Sequence, residues 1–443
     1  MIQSTREEVM KIALINHGCA KNLVDSELML GTLIKKGYEI TLNEEDADIV
    51  IVNTCSFIHD AEKESVDSIL EMIDEGKKVI VAGCLSQKYN KELKQAIPEI
   101  AGMVGARNST DIIKIIDSLK KEQYYSSVES DSKFFYPEDV ERQQITVGSS
   151  SYIKIGDGCN YECGYCIIPK LRGKYVSRPI ENIVKEAKQL VEKGVTEIIL
   201  IAQDTSSYGI DLYGKQALPE LLEQLNDIEG LSWIRVMYAY PTQVSDKLID
   251  AISNLDKVVK YIDIPLQHSH PRVLGSMKRP VMDYEKLIAK MRKRIPGVTI
   301  RTSLIVGYPG ETEEEFNHLY NFVKNVKFDR MGVFEYSREK NTYSDTLKPQ
   351  ISSKVKKNRR KKLMELQQQI SLNNNKKYIN SALKCIVEGY SDNGLIILRS
   401  EHDAPEIDGL VYATSKKPVV PGDIEEVIIE KADEYDLYGK IKE

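Results

Sequence analysis

The chain has 443 residues, 42% apolar and 29% charged, with a formal net charge of −6. That is too long for one ordinary core, so two or three domains of a soluble globular protein are expected. The opening MIQSTREEVMK has no apolar signal-peptide core, and no run approaches the roughly 18 apolar residues of a membrane helix. Net negative charge argues against a surface that grips nucleic acid throughout. Seven cysteines, odd in number and widely spread, argue against a disulfide framework and for a reducing, cytoplasmic compartment.

In the first third, Lys11–Asn16, Asp48–Asn53 and Lys78–Ala82 are near-continuous apolar, β-branched runs, which read as buried parallel strands. Helices are expected between them over Asp25–Lys36 and Ala61–Glu75, giving an open, doubly wound α/β domain over residues 1–125. A cysteine follows each strand: Cys19, Cys55 and Cys84. Ligands of such sheets bind beyond the carboxyl ends of the strands, and parallel strands put those ends on one edge. The three thiols should therefore converge. Singly, each reads as an ordinary buried cysteine; together, three ligands of an iron–sulfur cluster with one open iron are the better account. Asn22, Asp25 and Ser26 follow Cys19 where a helix should begin, and Asp or Ser there would cap its first turn. Residues 126–145, inside a polar, turn-rich stretch from 122 to 150, read as a linker.

From residue 146 to 370 strands and helices alternate again. Strands are expected at Tyr152–Ile155, Glu197–Ala202, Trp233–Tyr238, Tyr261–Ile264, Thr299–Val306 and Arg330–Phe334. Six βα-like units read as a full or partial β/α barrel, whose chemistry belongs at the C-terminal rim. The first rim loop is GDGCNYECGYCIIP. It carries Cys159, Cys163 and Cys166, separated by three and then two residues. Three thiolates on one loop can hold three corners of a cubane cluster and leave the fourth iron open for chemistry. A zinc knuckle would want a fourth Cys or His nearby, and the next downstream histidine is His268. This spacing resembles the signature of the radical S-adenosylmethionine (SAM) enzymes. The resemblance implies that SAM chelates the open iron and is cleaved to methionine and a deoxyadenosyl radical. Other rim residues are then candidates for SAM: Gln203 after the second strand, Gly307 after the fifth, and Arg301 within the fifth. Arg301 is either paired inside the barrel or facing the SAM carboxylate. His268 reads equally as structural or as a ligand. Glu311 and Thr312 could open the helix after Gly307. Lys170, Arg172 and Arg178 read as a solvated face more readily than as a substrate grip.

Residues 354–370 are a basic run passing into a helix, a solvated face on the bland reading and a nucleic-acid contact on the other. Five short strands over 373–443 suggest a small antiparallel, OB-like β-barrel. From Asn375 onward there are nine Lys and Arg against fourteen Asp and Glu, which suits a basic protein partner better than RNA phosphates. Cys385 reads as a core residue.

Two three-cysteine sets, an α/β domain, a radical-SAM barrel and a small β-barrel together resemble the methylthiotransferase family over nearly the whole chain. HGCAKNLVDSE, CGYCIIPKLRGKYVSRP, LIAQDTSSYG and APEIDGLVY resemble its RimO branch, while NTYSD at 341–345 departs from the usual turn. The resemblance implies two 4Fe-4S clusters, an auxiliary one on Cys19, Cys55 and Cys84 and the SAM cluster on Cys159, Cys163 and Cys166, and a C-terminal TRAM domain. It implies methylthio transfer to the β-carbon of an aspartate in small-subunit ribosomal protein twelve, with SAM as both methyl donor and radical source. The implied partners are that basic protein, free or in the subunit, and an electron-donor protein, with no membrane. The alternatives are the branch that modifies a tRNA adenosine and a non-catalytic iron–sulfur sensor bound to RNA.

Overall fold

Ile49–Thr54 is buried at every position, and Lys78–Gly83 at all but its first. Runs apolar on both faces can only lie inside a sheet covered on both sides. The computed structural model describes residues 10–56, 59–128, 136–137, 141–145 and 148–443. Within them the chain forms two compact units. The first holds the chain up to residue 147 with two short returns, 157–160 and 168–176; the second holds 148–156, 161–167 and 177–443.

The first unit is a six-stranded sheet in the order β2-β1-β3-β4-β5-β6, with every pairing parallel. Its strands are β1 (Lys11–Asn16), β2 (Glu39–Ile40), β3 (Ile49–Thr54), β4 (Lys78–Gly83), β5 (Gly102–Gly105) and β6 (Tyr125–Ser127). Helices α1 (Ala20–Lys35), α2 (His59–Asp74), α3 (Cys84–Ala96) and α4 (Ile112–Leu119) connect them. Separate apolar cores cover the two faces of the sheet, one around Val50, Val52, Val79 and Val81, the other around Ile12, Ile49, Ile51 and Ile80. α1 starts five residues earlier than expected. Asn22, Asp25 and Ser26 are buried inside it rather than capping it, and Cys19 stands at the cap position without a side-chain bond. Part of the expected linker (129–135 and 138–140) lies outside the described residues. Its remainder is tied in: Arg142 forms a buried 2.9 Å ion pair with Glu27, which also accepts the Ile145 N–H at 3.0 Å.

In the second unit six parallel strands follow in chain order: β7 (Ser150–Lys154), β8 (Glu197–Ile201), β9 (Trp233–Val236), β10 (Tyr261–Asp263), β11 (Thr299–Val306) and β12 (Arg330–Glu335). They pair as β9-β8-β7 and β10-β11-β12. A single bridge, Ile234 with Val258, leads from the first sheet towards the second. Helix α5 (Ser353–Asn375) packs along β12. Five more strands, β13 (Ala382–Tyr390), β14 (Ile396–Ser400), β15 (Val411–Thr414), β16 (Ile424–Ala432) and β17 (Leu437–Ile441), close into a barrel in which only β15 and β17 pair in parallel. Cys385 is fully buried in its core, as expected.

The small barrel is held against the N-terminal ends of the parallel strands. Glu197, the first residue of β8, receives Arg399 from β14 and Arg235 from β9, all essentially solvent-free. Arg330, the first residue of β12, holds Asp403 at 2.5 Å, and Tyr261, the first of β10, donates to Asp408 at 2.6 Å. Burial alone would raise the Glu197 carboxyl, but the two guanidinium groups bring it down to about 2. A folded-state value below the ordinary 4.5 contributes stability present above pH 4.5 and lost as pH falls towards 2. Glu197→Gln should therefore flatten the acid limb of the stability profile and, by taking the carboxylate from buried Arg235 and weakening the pairing of Arg399, cost about 3–5 kcal/mol at neutral pH in urea unfolding. An unchanged acid limb would remove this pair from the account.

Candidate iron–sulfur site

Each of the first three cysteines sits where a parallel strand hands over to a helix. Cys19 precedes α1, Cys55 follows β3, and Cys84 is the first residue of α3. Gly83, at φ +94, makes the turn before Cys84; a Cβ there would come within 2.3 Å of Asn53 Oδ1 and 2.7 Å of Thr54 O. Asn22 connects the three positions. Its Oδ1 lies 3.9 Å from both Cys19 Sγ and Cys84 Sγ, and its Nδ2 donates to the carbonyl of Thr54, the neighbour of Cys55, at 2.8 Å. The expected convergence at one sheet edge is therefore present.

Arg172, in the return segment 168–176, reaches the same edge. It donates to Asn22 Oδ1 at 2.8 Å, pairs with Asp157 at 2.9 Å and Asp25 at 3.3 Å, and comes 3.9 Å from Cys84 Sγ. Crowding by the chain would raise the Cys19 thiol, but Lys21 and Arg172 carry it below its ordinary value. For Cys84 burial outweighs Arg172 and the thiol stays raised. A positive environment at helix starts favours thiolate, the ligand form. Cys159 belongs to this unit too: its N–H donates to Gly173 O at 3.1 Å. Gly158 before it has φ +85, where a Cβ would meet Lys174 O at 2.3 Å.

In the second unit the Cys163–Cys166 turn is closed by Cys166 N–H donating to Cys163 O at 3.0 Å. Gly164 pins it on both sides, donating to Met277 O at 2.8 Å and accepting from Ser344 N–H at 2.7 Å. Arg279 places Nη1 3.9 Å from Cys163 Sγ and donates to Pro265 O at 2.5 Å. Its guanidinium lies over Tyr240, whose ring stacks on Tyr161 at 3.6 Å. Arg279 is 113 residues beyond the last motif cysteine, so nothing in the spacing marked it; Tyr161 lay in plain view inside the motif.

The remaining candidates separate. Gln203 stands half-buried just past β8, whereas Asp204 and Thr205 are spent on Ser206 and on Met237 O. Arg301 takes the first of its two expected roles, paired inside the unit with Asp263 at 3.0 Å and Asp408 at 3.5 Å. Gly307, at φ +70, donates its N–H to Glu311. Glu311 therefore does not begin the helix. It is buried against Arg359, with burial raising its carboxyl to about 7, while Thr312 and Glu315 form the capping box. His268 is fully buried; its Nδ1 accepts the His270 N–H at 3.0 Å, and burial holds the ring neutral, down to about 3. Arg172 and Arg178 are not a solvated face: both are buried, Arg178 on Glu186 at 2.6 Å. Only Lys170 of that trio is exposed. Among the described residues no three Cys, His, Asp or Glu side chains stand close enough to hold a single ion. A cubane spreads its three thiolates wider than one ion does, and it takes sulfur donors, which both sets supply.

Three families match in succession. Uncharacterized protein family UPF0004 covers residues 11–105, the Radical SAM superfamily 153–323 and the TRAM domain 379–441. Full-length relatives include the ribosomal protein uS12 methylthiotransferase RimO of Caldanaerobacter subterraneus, 49% identical with 97% of this chain and 99% of that protein covered. Its counterparts in Desulforamulus reducens and Clostridioides difficile are 47% and 45% identical, with 97% and 98% of this chain and 99% of each relative covered. Among solved structures, the radical SAM methyltransferase TsrM of Kitasatospora setae matches with TM-score 0.56 at 13% identity, over 73% of this chain and 72% of that one.

Arg172→Met removes the cation from buried Asp157 and Asp25 and should cost about 3–5 kcal/mol in urea unfolding of the metal-free chain. Combining it with Asp157→Asn should cost less than the sum of the two changes. Additive losses would mean that the pair does not act as a unit.

Proposed function

The chain belongs to the ribosomal protein uS12 methylthiotransferase RimO family, and on that premise we propose that it transfers a methylthio group to the β-carbon of an aspartate in that ribosomal protein. The observation that carries the reading is the gathering of the Cys19 and Cys84 sulfurs on Asn22, which also bonds Thr54, the neighbour of Cys55: a second three-thiol set in addition to the radical-SAM motif. One three-thiol set would serve radical generation alone; a separate set gives the transferred sulfur a place of its own. Cys159, Cys163 and Cys166 would hold one 4Fe-4S cluster, and Cys19, Cys55 and Cys84 the other. Bound clusters and SAM together supply the electron, the hydrogen-abstracting radical and the methylthio group.

The chain's own residues bind, orient and exclude water. Arg279 steadies the Cys163 sulfur and, through Tyr240 and Tyr161, covers one side of the cysteine loop. Gln203, just past β8, and the turn at Gly307, just past β11, offer amide and backbone groups to SAM. Arg301 acts at one remove: it holds Asp263, which accepts the Tyr238 N–H at 3.2 Å and so fixes the turn that carries Tyr240. The acidic small barrel matches a basic protein substrate in sign, which favours the ribosomal protein over tRNA.

Cys159→Ala should abolish SAM cleavage, read as methionine and 5′-deoxyadenosine. Cys55→Ala should still cleave SAM yet transfer no methylthio group; full transfer by that variant would remove the auxiliary site. Incubated anaerobically with SAM, reductant and sulfide, the reconstituted protein should add a methylthio mass to an aspartate of the ribosomal protein. The same gain on a tRNA adenosine would overturn the substrate.

A further inference from the structure

The chain is acidic overall, but one segment reverses the sign. Residues 336–362 hold ten Lys and Arg and two acids. They run from the end of β12 through the first ten residues of α5. The direction of that helix fixes where the charge lies. Lys356 donates to Tyr336 O at 2.7 Å and packs on Gly307, so the start of α5 sits at the C-terminal rim of β11 and β12. Gln367 donates to Phe328 O at 2.9 Å and Asn375 to Asp433 O at 3.1 Å, so its far end lies at the strand starts, beside the small barrel. The basic end of α5 is the end next to the chemistry.

Folding uses only some of these cations. Seven of the nine residues that open α5 after Ser353 and before Leu363 are Lys or Arg, with no acid in the first turn. Positive charge at a helix N-terminus opposes the macrodipole and destabilises the helix. Lys356 and Arg359 are held by the protein. Lys354 and Lys357 are exposed and have no hydrogen bond or ion pair among the described residues. Lys361 has only an exposed 3.7 Å contact to Glu365, of a kind worth little. Lys354, Lys357 and Lys361 recur at helical spacing and share one outward face.

We propose that this face docks on the phosphate backbone of structured RNA flanking the ribosomal protein, so that the enzyme engages its target within an assembled small subunit. The inference rests on the function proposed above and adds the partner. A free basic protein gains nothing from a lysine-bearing rim, whereas RNA phosphates release counterions onto it. The molecule thus shows positive charge at the rim and negative charge on the barrel held at the opposite strand ends.

The test uses the full reconstituted protein and the triple variant Lys354→Gln, Lys357→Gln, Lys361→Gln. Binding to unmodified small subunits, naked small-subunit RNA and free uS12 is measured at 50–200 mM salt, with methylthio mass gain read in parallel. The variant should bind subunits and naked RNA at least tenfold more weakly, with a log–log salt slope shallower by about 2–3. Its affinity for free uS12 and its SAM cleavage should be unchanged, and its melting temperature should not fall. Wild-type affinity and slope in the variant would overturn the proposal, as would a loss confined to free uS12, which would make the face a protein contact. If wild-type protein modifies no ribosomal protein while the lysines still govern RNA binding, the substrate reading fails and the RNA surface stands.

Discussion

A parallel strand has two unlike ends, and the second unit spends them differently. At the N-terminal ends, Glu197, Arg235, Arg330 and Tyr261 are closed off by Arg399, Asp403 and Asp408 of the small barrel. Each of these charges is buried and paired, so breaking one pair leaves another stranded in low dielectric. That closure fixes the barrel to the strand starts and leaves the strand ends for loops. The Cys163–Cys166 turn, Gln203, Tyr240 and Gly307 all lie on the loop side. The same rule orders the first unit, where β1, β3 and β4 deliver Cys19, Cys55 and Cys84 to one edge.

Such an edge must hold thiols and charge together without collapsing. Asn22 and Arg172 meet that need. Both are buried, and both are satisfied: Asn22 by Thr54 O and Arg172, Arg172 by Asp25 and Asp157. Asp157 and Arg172 flank the motif loop in sequence, and their segments, 157–160 with Cys159 and 168–176, belong to the same unit as the other three thiols, while 161–167 with Cys163 and Cys166 belongs to the second. One polar network therefore orients the strand-end cysteines and the entry to the motif loop.

Most of the strands were legible because burial on both faces leaves a continuous apolar run, and Thr299–Val306 was read to the residue. β5 and β6 were not: GMVG carries two glycines, and YSS follows a turn with nothing apolar to mark it. The cysteine positions were legible from topology alone. The buried arginines were not, because an Arg in a polar run reads as solvated until its partner is known, and Arg172 finds Asp25 147 residues away. Arg301 shows the reverse difficulty. Its place inside a strand announced a buried carboxylate partner, but only the fold could reveal Asp263 and Asp408 in place of a ligand.

Charge makes the last distinction. A run such as KVKKNRRKK is ambiguous in sequence, because a helix displays some cations and buries others. The structure sorts them by cause. Arg359 is held by Glu311, which in turn accepts the N–H groups of Gly307 and Tyr308, so that arginine braces the rim turn. Lys356 packs over Gly307 and Lys362 leans towards Glu313. Lys354 and Lys357 do neither, and the dipole of their own helix works against them. Charges that the fold does not use, set where they cost stability and beside the reactive rim, are accounted for by something outside the chain that carries the opposite sign.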